Sequence, residues 1–297
     1  MTFIQSAHRP SFGIACILGL AFALASLTAQ AEQVVRPDAG EPGDREPSTC
    51  LAVAQKAPTL RFASLTAPGL QDINLSRHEV EISFVGHSTF RITSAEGVVI
   101  ATDFAGFAGR DVIPTVVTMN RAHSSHYTNF LDPEIDYVLP GWVDDDGSPA
   151  SYHLAIKDVL IRNVTTDVRS SFSGSGGLKP SDNSIFIFEV AGLCIGHLGH
   201  LHHELSDEHI AAIGRLDVLM VPVDGSFTLN QASMARVVQR LRTSLILPMH
   251  YFGQSTLRSF LTELGTFADI VIDEDATTTV SLNSLPSKPT VLVLPGY

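Results

Sequence analysis

Histidine is the side chain that both binds transition metals and changes charge near neutral pH, and in this chain it gathers in three short stretches. The first is Asn120–Asn129, N-R-A-H-S-S-H-Y-T-N, which sets His123 and His126 three residues apart directly after the apolar run Ile113–Met119. The second is Gly196–His203, G-H-L-G-H-L-H-H, after Leu193–Ile195, and the third is Pro248–Tyr251, P-M-H-Y, after Ser244–Leu247. An i, i+3 pair at a strand end can aim two rings at one point. Surface or turn histidines are the other reading of the first stretch alone. Three strands that each end in histidine favour a metal site, because strand carboxyl ends in layered α/β folds converge on one edge.

The elements that must position these loops are legible as apolar runs between turn signals. Val80–Val85, Thr89–Thr93 and Gly97–Thr102 alternate with period two around turns at Gly86–Ser88 and Ser94–Glu96, and read as a three-stranded meander. Ile113–Met119, Asp132–Trp142, Asp158–Val164 and Ile185–Val190 follow as strands. Ser170–Asp182 is a Ser/Gly-rich tract with no regular element, either a mobile cover for the site or a plain surface loop. The acidic turn Asp144–Ser148 lacks the later Glu of a calcium loop and reads as solvated. From Ser206 the pattern alternates: helix to Ile213, strand Val218–Val223, helix Asn230–Leu241, strand Leu245–Pro248, helix Ser255–Leu264, strands Ile270–Ile272 and Val291–Leu294. A β-rich first half followed by β-α alternation is an α/β class with two sheets and helices outside.

The N-terminus carries Arg9, an apolar run Phe12–Leu27 and an A-x-A pattern, Ala29-Gln30-Ala31, before Glu32. It reads as a signal peptide over 1–31, so the protein is expected to be exported, periplasmic or extracellular, with no membrane span after cleavage. Residues 32–76 are rich in Pro, Asp, Glu and Gly and read as a mobile arm that packs only in its later part, ahead of a domain over 77–297. The net charge of −12 disfavours nucleic acid and anionic lipid, and a small-molecule substrate is expected. Oligomeric state has no signal. Cys194 inside the apolar run reads first as a small buried hydrophobe, and whether it pairs with Cys50 is open.

Six motifs in order, G-H-S-T-F (Gly86–Phe90), T-D-F (Thr102–Phe104), A-H-S-S-H-Y-T-N (Ala122–Asn129), H-L-G-H (His197–His200), D-V-L-M-V-P-V-D-G (Asp217–Gly225) and P-M-H-Y, resemble the metallo-β-lactamase-fold metal-dependent hydrolases, in particular the ascorbate-phosphate-lactonase-like branch. The resemblance spans about Val80 to Tyr251 and implies a four-layer αββα sandwich with metal at one edge of the two sheets. It places His123, His126 and His250 on ligand positions and Asp103 behind the metal loop. Three departures stand out: Arg121 in place of a first His, Ser125 in place of an Asp, and His200 in place of a bridging Asp.

Arg cannot serve as a ligand, and at about 4 Å a dication would be repelled by roughly 8 kcal/mol at an effective dielectric near 20. Arg121 therefore turns away or faces an anionic substrate. Loss of two carboxylates leaves one divalent metal, zinc, on His123, His126, His200 and His250. Asp103, His87, Ser125 and Arg121 are expected around these ligands, and His197 and Asp224 are the candidates for proton transfer. His87 is equally readable as a turn residue, His197 as buried against the sheet, and Asp224 as a turn residue.

The function implied is an exported hydrolase of a small lactone, ester or phosphoester, working through a hydroxide on the metal. The other reading, motivated by the three departures, is a non-catalytic small-molecule or metal-binding protein on a degenerate scaffold of the same fold.

Overall fold

The computed structural model describes residues 46–51, 75–120, 123–169 and 177–296. The expected signal peptide, most of the expected arm, Arg121 and residues 170–176 lie outside the described residues. In chain order the elements are β1 (Val80–Gly86), β2 (Thr89–Thr93), β3 (Val99–Ala101), β4 (Val116–Met119), β5 (Tyr137–Pro140), β6 (His153–Ile156), β7 (Val159–Arg169), β8 (Leu178–Val190) and β9 (Leu193–His197). Then come α1 (Asp207–Ile213), β10 (Val218–Pro222), α2 (Gln231–Leu241), β11 (Leu245–Met249), α3 (Gln254–Leu264), β12 (Asp269–Ile272), β13 (Thr277–Val280) and β14 (Thr290–Val293).

The strands form two sheets, ordered β13-β1-β2-β3-β4-β5 and β12-β14-β11-β10-β9-β8-β7-β6. Period two decides which face each residue serves. On β8, Phe186 and Phe188 enter the core between the sheets with Ile82, Phe90 and Ile161, while Ile185 and Ile187 face the outer layer with Met234, Val238 and Phe260 from the helices. β10 divides the same way, Val218 and Met220 inward, Leu219 and Val221 outward. The outer face of the first sheet is covered among the described residues by loops, with Phe104, Ala108, Ile135 and Trp142 packed on Val117 and Met119.

β9, β10 and β11 are parallel, as are β3, β4 and β5, so the C-terminal ends of β4, β9, β10 and β11 deliver their loops to the cluster described below.

Three local readings change. β8 begins at Leu178, inside the tract read as irregular, because Leu178 and Lys179 pair with Arg169 and Val168 at the end of β7. Cross-strand pairing there overrides weak intrinsic propensity. The short edge strands β6 and β13 carry too few apolar residues to register as runs. Within the expected arm, the described segment 46–51, which reaches only the first residue of the later part read as packing, Leu51–Leu70, is fastened down. Glu189 accepts from the backbone N–H groups of Thr49 and Cys50 at 2.8 and 3.3 Å, and Arg162 Nε donates to the same carboxylate at 2.9 Å.

Cys50 and Cys194 form a disulfide, both fully buried. The bridge joins positions 144 apart, so it restricts the unfolded chain over a long loop. Replacing both cysteines with serine is expected to cost about 2–5 kcal/mol, read as a lowered urea midpoint; an unmoved midpoint would contradict it.

Candidate metal centre

Turn chemistry aims the first pair of histidines. Asn120 N–H donates to His126 O at 3.2 Å and His126 N–H to His123 O at 2.9 Å, which closes the loop at the end of β4. His200 sits after β9, where its N–H donates to Asn183 Oδ1 at 2.7 Å. His250 directly follows β11 with φ 55° and donates its N–H to His87 O at 2.6 Å. His87 and Asp103 are left-handed too, at φ 51° and 44°. Non-glycine residues in this region cost of order 1–3 kcal/mol each and collect at functional sites.

The four histidines expected as ligands come together. One nitrogen from each of His123, His126, His200 and His250 lies within 4.8 Å of the other three. His123 Nε2 is 2.7 Å from His200 Nε2, and His126 Nε2 is 3.0 Å from His250 Nε2. His126, His200 and His250 are buried and His123 is partly exposed.

Asp103 stands behind His126 as expected. Fully buried, it takes His126 Nδ1 on Oδ2 at 2.8 Å and Asn120 Nδ2 on Oδ1 at 2.7 Å. Asp224 Oδ1 lies 3.1 Å from His250 Nδ1, off the line of a good hydrogen bond, so this contact is chiefly electrostatic.

These carboxylates test whether the residues suit a cation. A carboxylate only accepts, so the Asp103 hydrogen bond keeps the proton of a neutral His126 on Nδ1 and leaves its Nε2 a lone pair, and the negative charge of Asp224 beside His250 Nδ1 favours the same tautomer there. Two lone pairs facing each other at 3.0 Å repel unless a positive charge lies between them. The donor set therefore fits a cation, and neutral imidazoles suit zinc or its neighbours.

The expected proton-transfer groups are engaged elsewhere. His197 is fully buried, gives Nε2–H to Ser88 O at 2.9 Å and takes Gly199 N–H on Nδ1 at 3.1 Å, so neither nitrogen is free for a substrate. Asp224 accepts from the N–H groups of Ser226 and Phe227 at 2.8 and 2.6 Å and from Thr228 Oγ1 at 2.5 Å. Burial raises its pKa, but the His250 contact and these donors outweigh burial and hold the carboxyl far below the ordinary range. These contacts leave Asp224 beside the His250 ring with its oxygens already accepting from the turn. Burial likewise opposes ionisation of Asp103, and the His126 and His197 charges with the His126 and Asn120 hydrogen bonds reverse it. Ser125 is exposed on its loop and Arg121 lies outside the described residues.

Sequence reasoning passed over Asn120 and Asn183. Asn120 Oδ1 takes Ser184 N–H at 2.8 Å, so one amide links β4, Asp103 and the opposite sheet. Asn183 Nδ2 donates to Thr166 Oγ1 at 2.8 Å while its oxygen holds the His200 backbone. Both amides press on Gly199, φ 59°, where a Cβ would collide with Asn183 Oδ1 and Asn120 Nδ2. Phe227 and Phe252, each more than half exposed, flank the cluster with rings 5.7 Å from His123 and 5.4 Å from His250.

Burial, then the crowding of imidazoles, lowers the pKa of His87 to about 4; burial, then the Arg169 charge, lowers His202 to about 4; burial also lowers His123 and His197. Folded pKa values below the ordinary 6.5 mean that the unfolded chain binds more protons between about pH 4 and 6.5. Metal-free protein should therefore be most stable above this window and lose stability as pH falls through it. Urea midpoints of chelator-treated protein at neutral and mildly acid pH measure this, and a midpoint rising towards acid contradicts it.

Residues 81–250 match the Beta-lactamase superfamily domain model, more than half of the chain. The chain belongs to this superfamily, and its two-sheet architecture is the metallo-β-lactamase fold. Similar proteins include a UPF0173 protein of Pyrococcus abyssi, 23% identical over 62% of this chain and 90% of the relative. A UPF0173 metal-dependent hydrolase of the same organism is 23% identical over 58% of this chain and 84% of the relative. A crystallised metallo-β-lactamase superfamily protein of Thermotoga maritima, assigned as a Zn-dependent hydrolase, is 26% identical with a TM-score of 0.51, covering 73% of this chain and all of that one.

Proposed function

We propose that this chain is an exported hydrolase of a small lactone, ester or phosphoester, dependent on one divalent cation, zinc, held in the histidine cluster. The observation that carries this reading is the approach of His126 Nε2 and His250 Nε2 to 3.0 Å, each ring with a buried carboxylate beside its Nδ1. His123 supplies a third nitrogen, and His200 faces the same point. A relative named a metal-dependent hydrolase supports the same class of chemistry.

Bound there, the cation would supply Lewis acidity towards a carbonyl or phosphoryl oxygen and towards water. The chain does the rest. Asp103 and Asp224 keep the protons of His126 and His250 on Nδ1 and fix both rings. Phe227 and Phe252 offer an apolar rim for the carbon portion of a substrate. Export is supported by the N-terminal leader pattern and by the Cys50–Cys194 disulfide, which persists in oxidising compartments. Among the described residues no helix is long and apolar enough to cross a membrane.

The test is metal analysis of protein purified from the exported fraction, followed by a chromogenic panel of lactones, aryl esters and phosphodiesters. About one equivalent of zinc and chelator-sensitive hydrolysis restored by zinc are expected. Protein that takes up no zinc overturns the reading. Protein that binds zinc and hydrolyses nothing in the panel is the binding protein that the Ser125 and His200 departures also suggest.

A further inference from the structure

Hydrogen-bond polarity separates the four imidazoles of the cluster. Asp103 and Asp224 can only accept; the Asp103 hydrogen bond leaves Nε2 of His126 a lone pair facing the centre, and the charge of Asp224 beside Nδ1 favours the same for His250. His200 is wired in the opposite sense. The backbone N–H of Arg169 donates to His202 Nδ1 at 2.8 Å, and Arg169 Nε–H reaches the same atom at 3.3 Å. A nitrogen with two donors on it carries a lone pair, so the proton of the neutral His202 ring is on Nε2. That N–H faces His200 Nδ1 at 2.5 Å. His200 Nδ1 must then accept, and the one proton of neutral His200 sits on Nε2, 2.7 Å from His123 Nε2.

A nitrogen that bears a proton has no lone pair for a metal. For His200 Nε2 to ligate, the His200 proton would have to move to Nδ1, setting two N–H groups head to head, or His202 would have to give up Arg169. Arg169 is not easily withdrawn. Its backbone belongs to the β7–β8 pairing opposite Leu178, and Nη2 donates to the carbonyls of Ser226, Phe227 and Thr228 at 3.1, 2.9 and 2.7 Å. Those carbonyls belong to the turn whose N–H groups hold Asp224, so the His202 support and the His250 support are one connected piece.

We propose that His200 is a hydrogen-bond donor of the site and not a ligand, presenting Nε2–H to the substrate oxygen on which negative charge develops, with His202 as the positioning residue that holds it in that tautomer. The assignment rests on the metal-dependent hydrolase reading above, and it narrows the ligand set to His123, His126 and His250: His123 Nε2, which faces the His200 N–H at 2.7 Å, would turn its lone pair to the cation and free that N–H for substrate. Three ligands with a neighbouring donor leave room for substrate, as open catalytic sites require. A fixed N–H aimed at developing charge in a buried site is worth about 10²–10³-fold in turnover.

Long-range proton–nitrogen spectra of ¹⁵N-histidine protein, metal-free and after one equivalent of zinc, read the tautomers directly without any variant. His126 and His250 should appear as Nδ1–H rings whose Nε2 signals shift with zinc, and His200 as an Nε2–H ring in both samples. His202→Phe removes the donor on His200 Nδ1 and should give His200 a mixed tautomer. His200→Ala should keep about one equivalent of zinc and lose about 10²-fold in kcat on a panel substrate with little change in KM. His200→Gln, which keeps an N–H, should recover part of the loss.

An Nδ1–H His200 with a zinc-shifted Nε2 overturns the proposal, as does loss of zinc from His200→Ala equal to that from His250→Ala, or an unchanged kcat. A wild-type protein that takes up no zinc overturns the metal reading instead. In that case the His200 tautomer of the metal-free spectrum still decides whether the donor polarity is right.

Discussion

His250→Ala is expected to strip the protein of stoichiometric zinc and of chelator-sensitive hydrolysis. The imidazole faces His126 Nε2 at 3.0 Å with its own lone pair, and no other group described at that strand end can take its place. Loss of an orienting partner behind a ligand costs roughly 10–100-fold in metal affinity, and loss of the ligand itself should exceed that. The backbone complicates alanine, because position 250 has φ 55° and an alanine there is strained. Asn tolerates the left-handed region better, so His250→Asn separates the two effects. Both variants should lose zinc, while the alanine variant alone should carry the added backbone penalty in its urea midpoint. Metal analysis after dialysis against low free zinc is the measurement. Full zinc content in either variant would remove His250 from the ligand set.

The site was legible where chemistry follows a strand end and obscure where it depends on partners far away in the chain. His123, His126 and His250 each follow an apolar run, and strand ends of a layered α/β fold converge on one edge, here β4 from one sheet and β11 from the other, so their meeting could be argued before any coordinates. Asp103 was readable by resemblance alone. H-L-G-H presents two histidines with equal claims and leaves His197 open between proton transfer and burial against the sheet. The strand β9 ends on His197 and buries it, whereas His200, beyond Gly199, escapes into the cluster. Asn120 and Asn183 carry no periodicity, and their partners lie 64 and 17 positions away. The start of β8 in a Ser/Gly tract and the clasp of residues 48–50 on Glu189 are tertiary in origin, and composition pointed away from both. The β-α alternation from Val218 onwards needed no such partners. α1 before it announces itself by its cap, Ser206 accepting the N–H of His209, and α2 by apolar spacing.

Asp103→Asn should be the most informative change away from the ligands, because it alters polarity and almost nothing else. The two side chains are nearly isosteric, and Asn is at ease at φ 44°, so neither volume nor backbone is disturbed. What changes is donor count. Asp103 receives two protons, from Asn120 Nδ2 at 2.7 Å and His126 Nδ1 at 2.8 Å, in a fully buried place. An amide presents one oxygen and one NH₂, so whichever way it turns, one of these donors meets another donor. If the oxygen stays with Asn120, His126 must move its proton to Nε2, which removes the lone pair offered to the metal. If the oxygen stays with His126, Asn120 loses its partner, and with it the tie from β4 to Ser184 across the sheets. The first outcome should lower zinc affinity by roughly 10–100-fold, and the second should cost about 1–3 kcal/mol of stability for a buried group left unpaired. Zinc titration and urea midpoints of the same preparation measure both. A variant unchanged in each would mean that Asp103 neither fixes the His126 tautomer nor braces the loop.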